Sequence, residues 1–250
     1  MPKNKLMKEK IRLDKLLVLN NYAENVNKAK ALVMSGKVIV NEKRIDKPGL
    51  KFIKEVLIRI KKKNHQWVSR GGIKLDYAIE KMKIKVENRV CADLGSSTGG
   101  FTDVLLKRKA KHVYCVDVGR GLLDWKIATS NKVTILENTN VRNLTLKNIS
   151  EKVNLITCDL SFISLTKALK NIILTRKLDI AIIALIKPQF ELSKGMIGKN
   201  GVVTNNKFRN AAVIKVKSWF YENGWEKQNL IQSPITGLAG NKEYFLYCQK

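Results

Sequence analysis

The sequence predicts an α/β protein: a mostly parallel sheet covered by helices on both faces, preceded by a small basic α+β segment. Three observations predict it. Five apolar, strand-like stretches at residues 89–94, 112–118, 133–136, 153–158 and 179–186 are interleaved with helical patterns, the order that a parallel sheet with crossover helices requires. A glycine-rich run, Asp93-Leu94-Gly95-Ser96-Ser97-Thr98-Gly99-Gly100-Phe101-Thr102, closes the first stretch, where doubly wound sheets bind their ligands. Residues 1–65 stand apart in charge, with 18 Lys and Arg against 6 Asp and Glu, while the rest of the chain holds 30 against 15.

The elements follow in order. Leu13, Leu16 and Leu17 fall at helical spacing, as do Ala29, Leu32 and Val33. Gly36 comes next, where a helix end favours positive φ. Val38-Ile39-Val40 reads as a strand, Asn41-Glu42 as a turn and 57–60 as a second strand. The charged run Lys61-Lys62-Lys63-Asn64 reads as a linker. The expected division is a domain at 1–62, a linker at 63–70 and a larger domain at 71–250. Beyond the Gly-rich run, 164–173 places Leu165, Ala168, Leu169, Ile172 and Ile173 on one helix face, and 206–221 does so with Phe208, Ala212, Val216, Trp219 and Phe220. Strands at 225–232 and 244–248 close the chain and suggest an antiparallel insertion at one sheet edge.

Composition narrows the function. The chain has 250 residues, 44% apolar and 28% charged, which excludes disorder along its whole length. The net charge of +27 favours a polyanionic partner. The longest apolar run, 180–186, is far short of the ~20 residues of a spanning helix. No apolar segment follows the N-terminal lysines, so no signal peptide and a cytoplasmic location are expected. Cys91, Cys115, Cys158 and Cys248 form no C-x-x-C pair and read as buried, reduced thiols. His65 and His112 lie outside the motifs, and no metal site is expected.

The Gly-rich run is neither a G-x-G-x-x-G fingerprint nor a P-loop. Its glycines permit a tight turn and close backbone approach, and an acid at the strand end suits a ligand bearing an amine or hydroxyls. Asp117, in Val116-Asp117-Val118-Gly119, ends the second stretch, where a carboxylate can accept ribose hydroxyls. Together these features resemble the donor site of the class I, S-adenosylmethionine-dependent methyltransferases. Three further motifs put charge at element ends: Cys158-Asp159-Leu160-Ser161-Phe162, Ile186-Lys187-Pro188-Gln189-Phe190 and Gly240-Asn241-Lys242-Glu243-Tyr244. Lys74 lies earlier, in Val68-Ser69-Arg70-Gly71-Gly72-Ile73-Lys74-Leu75. A parallel sheet gathers the ends of its fourth and fifth strands on one rim, so Asp159 and Lys187 are expected to face each other.

Lys74, Asp159, Lys187 and Glu243 fall where the FtsJ-like ribose 2′-O-methyltransferases carry a Lys-Asp-Lys-Glu tetrad. These motifs, in order along residues 10–250, resemble the hemolysin A family, also called TlyA, which joins an N-terminal S4 RNA-binding domain to an FtsJ-like domain. Arg12-Leu13-Asp14, Gly36-Lys37-Val38, Val40-Asn41 and Lys47-Pro48-Gly49 are similar to the S4 pattern. Asn25-Val26 stands where S4 segments usually carry Ser-Arg. His65-Gln66-Trp67-Val68 stands where relatives often have an arginine before Ala-Trp-Val, so no arginine is carried over there.

The resemblance implies a class I, Rossmann-like methyltransferase sheet with a small S4-type domain, and S-adenosyl-L-methionine as cofactor. The implied partner is ribosomal RNA or a ribosomal subunit, methylated on a cytidine ribose; the absence of a heptad seam or surplus apolar face leads to the expectation of a monomer, and the short apolar runs to that of no stable membrane insertion. The expected reaction is an in-line displacement by a ribose 2′-oxygen, with sulfonium as the leaving group and no need of a metal. Lys187 is expected to assist the 2′-oxygen as base or as cation, with Lys74 beside it and with Asp159 and Glu243 orienting the lysines. The donor residues are expected at Asp93, Gly95, Ser97, Gly99, Gly100, Phe101, Asp117 and Asn140, and RNA contacts at Arg12, Lys15, Lys28, Lys30 and Arg44. The rival readings are a membrane-active hemolysin and a non-catalytic RNA-binding assembly factor.

Overall fold

The computed structural model describes residues 10–60, 65–144, 153–173 and 180–249. The expected linker run at 61–64 lies outside the described residues. The chain divides into two compact units, Met1–Gln66 and Trp67–Lys250.

The first unit runs β1 (Lys10–Arg12), α1 (Leu13–Leu19), α2 (Val26–Met34), β2 (Val38–Val40), β3 (Lys43–Ile45), β4 (Lys51–Ile53) and β5 (Ile58–Ile60). β2 lies between β3 and β5, antiparallel to both, and β1 pairs antiparallel with β4. β1, β3 and β4 are absent from the sequence expectation because these three-residue strands each carry a lysine and show no apolar run like that of β2. Leu13, Leu16 and Leu17 of α1 and Ala29 and Val33 of α2 bury against Val38, Val40 and Ile58. Asn25 caps α2, its side chain accepting the Lys28 N–H at 2.9 Å. Gly36 has φ +66, and the Arg44 guanidinium occupies the place of a Cβ there. Asn41 and Glu42 both have positive φ, 47° and 62°, as a two-residue hairpin turn that matches strand twist requires.

The second unit runs α3 (Arg70–Lys81), β6 (Val90–Leu94), α4 (Gly100–Lys107), β7 (His112–Val116), α5 (Trp125–Ala128), β8 (Val133–Leu136), β9 (Leu155–Cys158), α6 (Leu165–Ala168), α7 (Lys170–Ile173), β10 (Ala181–Ile186), α8 (Pro188–Glu191), α9 (Asn206–Glu222), β11 (Lys227–Gln232) and β12 (Tyr244–Gln249). Seven strands form one sheet in the order β11-β12-β10-β9-β6-β7-β8. Pairing is parallel from β10 to β8, and β12 is inserted antiparallel between β10 and β11.

Side chains alternate across this sheet with a period of two. Ala92, Leu94, Val116, Ile156, Ile182, Ala184 and Ile186 pack with Leu165, Leu169, Ile172, Val216 and Phe220. Cys91, Val113, Cys115, Leu155, Ile183 and Leu185 pack on the other face with Leu75, Ile79, Phe101, Val104 and Leu105. Each fully buried Leu, Ile or Phe contributes about 1.5–3 kcal/mol relative to exposure. All four cysteines are free and buried, and burial pushes the Cys91, Cys115 and Cys248 thiols up to about 12.

Two expected elements differ. The single helix at 164–173 is two turns, α6 and α7, although Leu165, Ala168, Leu169, Ile172 and Ile173 are all buried as their spacing requires. The strand expected at 112–118 ends at Val116 because Asp117 turns the chain, accepting the Gly119 N–H at 2.8 Å. Among the described residues, no helix is long and apolar enough to cross a membrane.

Candidate active site

Strand ends and helix starts converge on one cleft of about 730 Å³ in the second unit. One wall is the turn from β6 into α4. Gly95 has φ +80, and a Cβ there would lie 2.8 Å from the backbone oxygen of Asp159. A Cβ on Gly100 would lie 2.1 Å from Ser69 Oγ. Glycine is thus required at 95 for both conformation and space, while at 100 an added Cβ would displace the Ser69 hydroxyl. Gly95, Ser97, Gly100 and Phe101 line the cleft. Ser97, at φ +48, donates its N–H to Asp117 Oδ2 at 2.8 Å.

All four tetrad residues line the same cleft. Lys74 projects from α3 and donates to Glu243 Oε2 at 2.6 Å. Their side chains are 10% and 3% exposed, so each charge depends on the other for compensation. Glu243 sits one residue before β12, an antiparallel strand whose start reaches the rim formed by the ends of β9 and β10. Lys187 follows β10 and Asp159 follows β9. Lys187 Nζ lies 2.7 Å from Asp159 Oδ1 and donates to Ser161 Oγ at 2.9 Å. The sequence expectation that Asp159 and Lys187 face each other matches this geometry.

Four of the expected donor residues stand apart from the cleft lining. Asp93 is corrected from ligand contact to buried support. It is fully buried, and its two oxygens accept the hydroxyls of Thr102 at 2.7 Å and Thr157 at 2.9 Å. Burial pushes its carboxyl up to about 6 against the pull of those two hydrogen bonds. Gly99 has φ +88 and starts α4 against Leu123 and Ile127, so its role there is conformational. Asn140 accepts the Arg142 N–H at 3.0 Å and caps a short 3₁₀ turn. Asp117 stands behind Ser97, holding the turn.

Of the expected RNA contacts, Lys15, Lys30 and Arg44 are exposed. Lys28 pairs with Glu24 at 2.5 Å. Arg12 is committed to its own unit: its guanidinium donates to both oxygens of Asp14, at 3.1 and 2.6 Å, and holds that buried carboxyl below its usual range. The sequence reading missed several lining residues, namely Arg70, Ser161, Gln189, Phe190 and Leu238. Ser161 and Gln189 each lie two residues beyond a tetrad member, which is the signal that could have found them. Phe162 takes φ +64, is 91% exposed, and packs against Phe190 with ring centroids 5.3 Å apart.

Comparison with known proteins agrees with this geometry. The FtsJ-like methyltransferase family matches residues 67–250, and the S4 domain family matches residues 11–52. The chain is 39% identical to the 16S/23S rRNA (cytidine-2′-O)-methyltransferase TlyA of Mycobacterium tuberculosis, over 96% of this chain and 90% of that protein. It is 35% identical to Hemolysin A of Brachyspira hyodysenteriae, over 95% of this chain and 99% of that protein. A solved protein of Streptococcus thermophilus, named for hemolysin, superposes with a TM-score of 0.73 at 35% identity, covering 96% of this chain and 88% of that one.

Proposed function

The chain belongs to the FtsJ-like methyltransferase family, in the branch that carries an S4 domain, and from that premise we propose that it methylates the ribose 2′-hydroxyl of a cytidine in ribosomal RNA. The observation that carries this reading is the meeting of Lys74, Asp159, Lys187 and Glu243 at one cleft that the glycine turn also lines. The proposed substrate is ribosomal RNA, free or within a ribosomal subunit, met in the cytoplasm by a monomer.

The cleft suits S-adenosylmethionine in its own features. Gly95 and Gly100 let the turn pack closely on Asp159 and Ser69, Ser97 and Phe101 line the cleft, and Asp117 fixes the turn from outside the lining by accepting the Ser97 N–H. When bound, the cofactor supplies a methyl carbon activated by a sulfonium leaving group. The chain's own work is to place the 2′-oxygen and to balance its charge. Lys187, steadied by Asp159 and Ser161, presents its cation to the 2′-oxygen and stabilises the negative charge that develops as the hydroxyl proton passes to solvent and the new C–O bond forms, a form of stabilisation that is strongest in a partly desolvated site. Lys74, neutralised by Glu243, lines the same cleft without adding an uncompensated charge. Holding both reactants in one cleft contributes most, about 7–11 kcal/mol in favourable cases. Exposed lysines of the S4 unit supply the salt-dependent attraction to phosphate.

The test is label transfer from radioactive S-adenosylmethionine to undermodified ribosomal subunits, with Lys187→Ala as control. Expected is an alkali-resistant, 2′-O-methylated cytidine, absent with the variant. No transfer to subunits, assembled ribosomes or naked ribosomal RNA, despite measured donor binding, would overturn the reading.

A further inference from the structure

We propose that Ser161 is a positioning residue for Lys187, a fifth member of the set that carries out methyl transfer; the proposal rests on the reading above. Ser161 stands two residues beyond Asp159, lines the cleft and is exposed within it. Its Oγ accepts from Lys187 Nζ at 2.9 Å, while Asp159 Oδ1 lies 2.7 Å from the same nitrogen.

An ammonium has three donors and no acceptor. One is directed at Ser161, Asp159 lies against the same nitrogen as an ion pair, and donor capacity remains for a ligand in the cleft. A lysine head sits on a flexible four-carbon stem. A single anchor at Asp159 leaves that head free to swing about one contact. A second anchor fixes both its place and the direction of its remaining N–H. Transfer is sensitive to such placement, because small errors of alignment cost large factors in rate.

The backbone supports the assignment. Phe162 takes φ +64, an unusual conformation for a bulky residue. The chain therefore turns sharply directly after Ser161. This keeps the serine hydroxyl on Lys187 while the Phe162 ring packs against Phe190. Because Ser161 accepts from Lys187, its own O–H remains available to an acceptor in the cleft.

The experiment compares the full-length wild type with Ser161→Ala, Ser161→Thr and Ser161→Cys in the subunit methylation assay. Donor and RNA affinities and melting temperatures are measured alongside. Ser161→Ala is expected to lower kcat ~10–100-fold, the effect of losing one hydrogen bond to a charged group, with both affinities within about twofold. Ser161→Thr, which keeps the hydroxyl, is expected to recover most of kcat. Ser161→Cys, of similar size but a weak acceptor, is expected to be as slow as alanine. Wild-type kcat in the alanine variant overturns the proposal, as does a defect confined to KM or a cysteine variant faster than threonine. These outcomes leave the methyl-transfer reading intact. A wild type that methylates nothing overturns that reading instead, and this proposal with it.

Discussion

The carboxylate of Glu191 receives the hydroxyl of Ser164 at 2.5 Å, and its other oxygen receives the Leu165 N–H at 2.8 Å. Glu191 thereby caps α6 from the end of α8. Two segments meet here, 159–165 after β9 and 187–191 after β10, and they are joined at three levels. Lys187 meets Asp159 and Ser161 at one end, Phe190 meets Phe162 in the middle, and Glu191 meets Ser164 at the other end. Lys215 holds the junction from α9, donating to the Glu191 carbonyl at 2.6 Å.

Cutting the far end should loosen the near one. Glu191→Ala removes both accepted bonds; Ser164 keeps its contact with Thr166 at 2.9 Å, while the buried Leu165 N–H is left unpaired at a cost of about 1–3 kcal/mol. A lower melting temperature is expected, together with a fall in kcat larger than any change in donor affinity. Calorimetry and isothermal titration measure stability and affinity, and the methylation assay measures kcat; an unchanged kcat in a destabilised variant would reduce Glu191 to a scaffold role.

The Lys74–Glu243 pair separates stability from chemistry. Lys74→Met strands a buried carboxylate, and breaking such a pair costs about 3–5 kcal/mol. Adding Glu243→Gln removes the stranded charge, so the double variant should recover much of the missing stability in urea unfolding. Its activity should stay near background, because neither change restores the cation.

Asp93 makes stability fall as pH rises. Its folded value of about 6 stands above the ordinary 3.8, so folding favours the protonated form. The contribution is complete below pH 3.8 and is lost as pH passes 6. The difference is ~3 kcal/mol. Asp93→Asn cannot ionise, so its unfolding free energy, relative to wild type, should rise between about pH 4 and about pH 7. Parallel pH profiles for the two proteins would exclude this assignment.

The glycine turn yields a matched comparison. Gly95→Ala meets both a positive φ and a backbone oxygen at 2.8 Å. It should weaken donor binding at least ~10-fold and cost about 1–2 kcal/mol for the conformation alone. Gly195→Ala has nothing within 4 Å of the added carbon and should change neither quantity. Donor titration of both variants is the measurement.

In the S4 unit, exposed lysines and the paired arginine should respond differently. Lys15→Gln and Lys30→Gln should each lower the slope of log affinity against log salt by about 0.7–0.9 for every phosphate that is no longer neutralised, with little change in melting. Arg12→Gln leaves buried Asp14 without its guanidinium and should chiefly destabilise the unit. Filter binding across salt concentrations, with thermal unfolding, distinguishes them.

Much of this fold is legible in the sequence because the apolar strands are separated by regular helical patterns. Half of the tetrad is legible from topology, since parallel strands bring Asp159 and Lys187 to one rim; Lys74 and Glu243 are dispersed along the chain and join them only by resemblance. Asp93 shows how a local rule misleads. An acid at a strand end reads as a ligand contact. In a sheet covered on both faces, however, either side of the strand is interior, and Thr102 and Thr157 take the carboxylate there. Ser161 is hidden for the opposite reason, since an exposed serine in a turn carries no periodicity and gains meaning only from the lysine that reaches it.

The antiparallel insertion of β12 has a consequence for synthesis on the ribosome. The donor turn at 95–101 is made early, whereas Glu243 and the strand that follows it emerge only after the other six strands of that sheet. A chain arrested between these points holds the elements of a cofactor cradle but lacks the counter-charge for Lys74 and the strand that joins β11 to the sheet. The pairing of Lys74 with Glu243 and the completion of the sheet are thus acquired together, in the last part of the chain to be made.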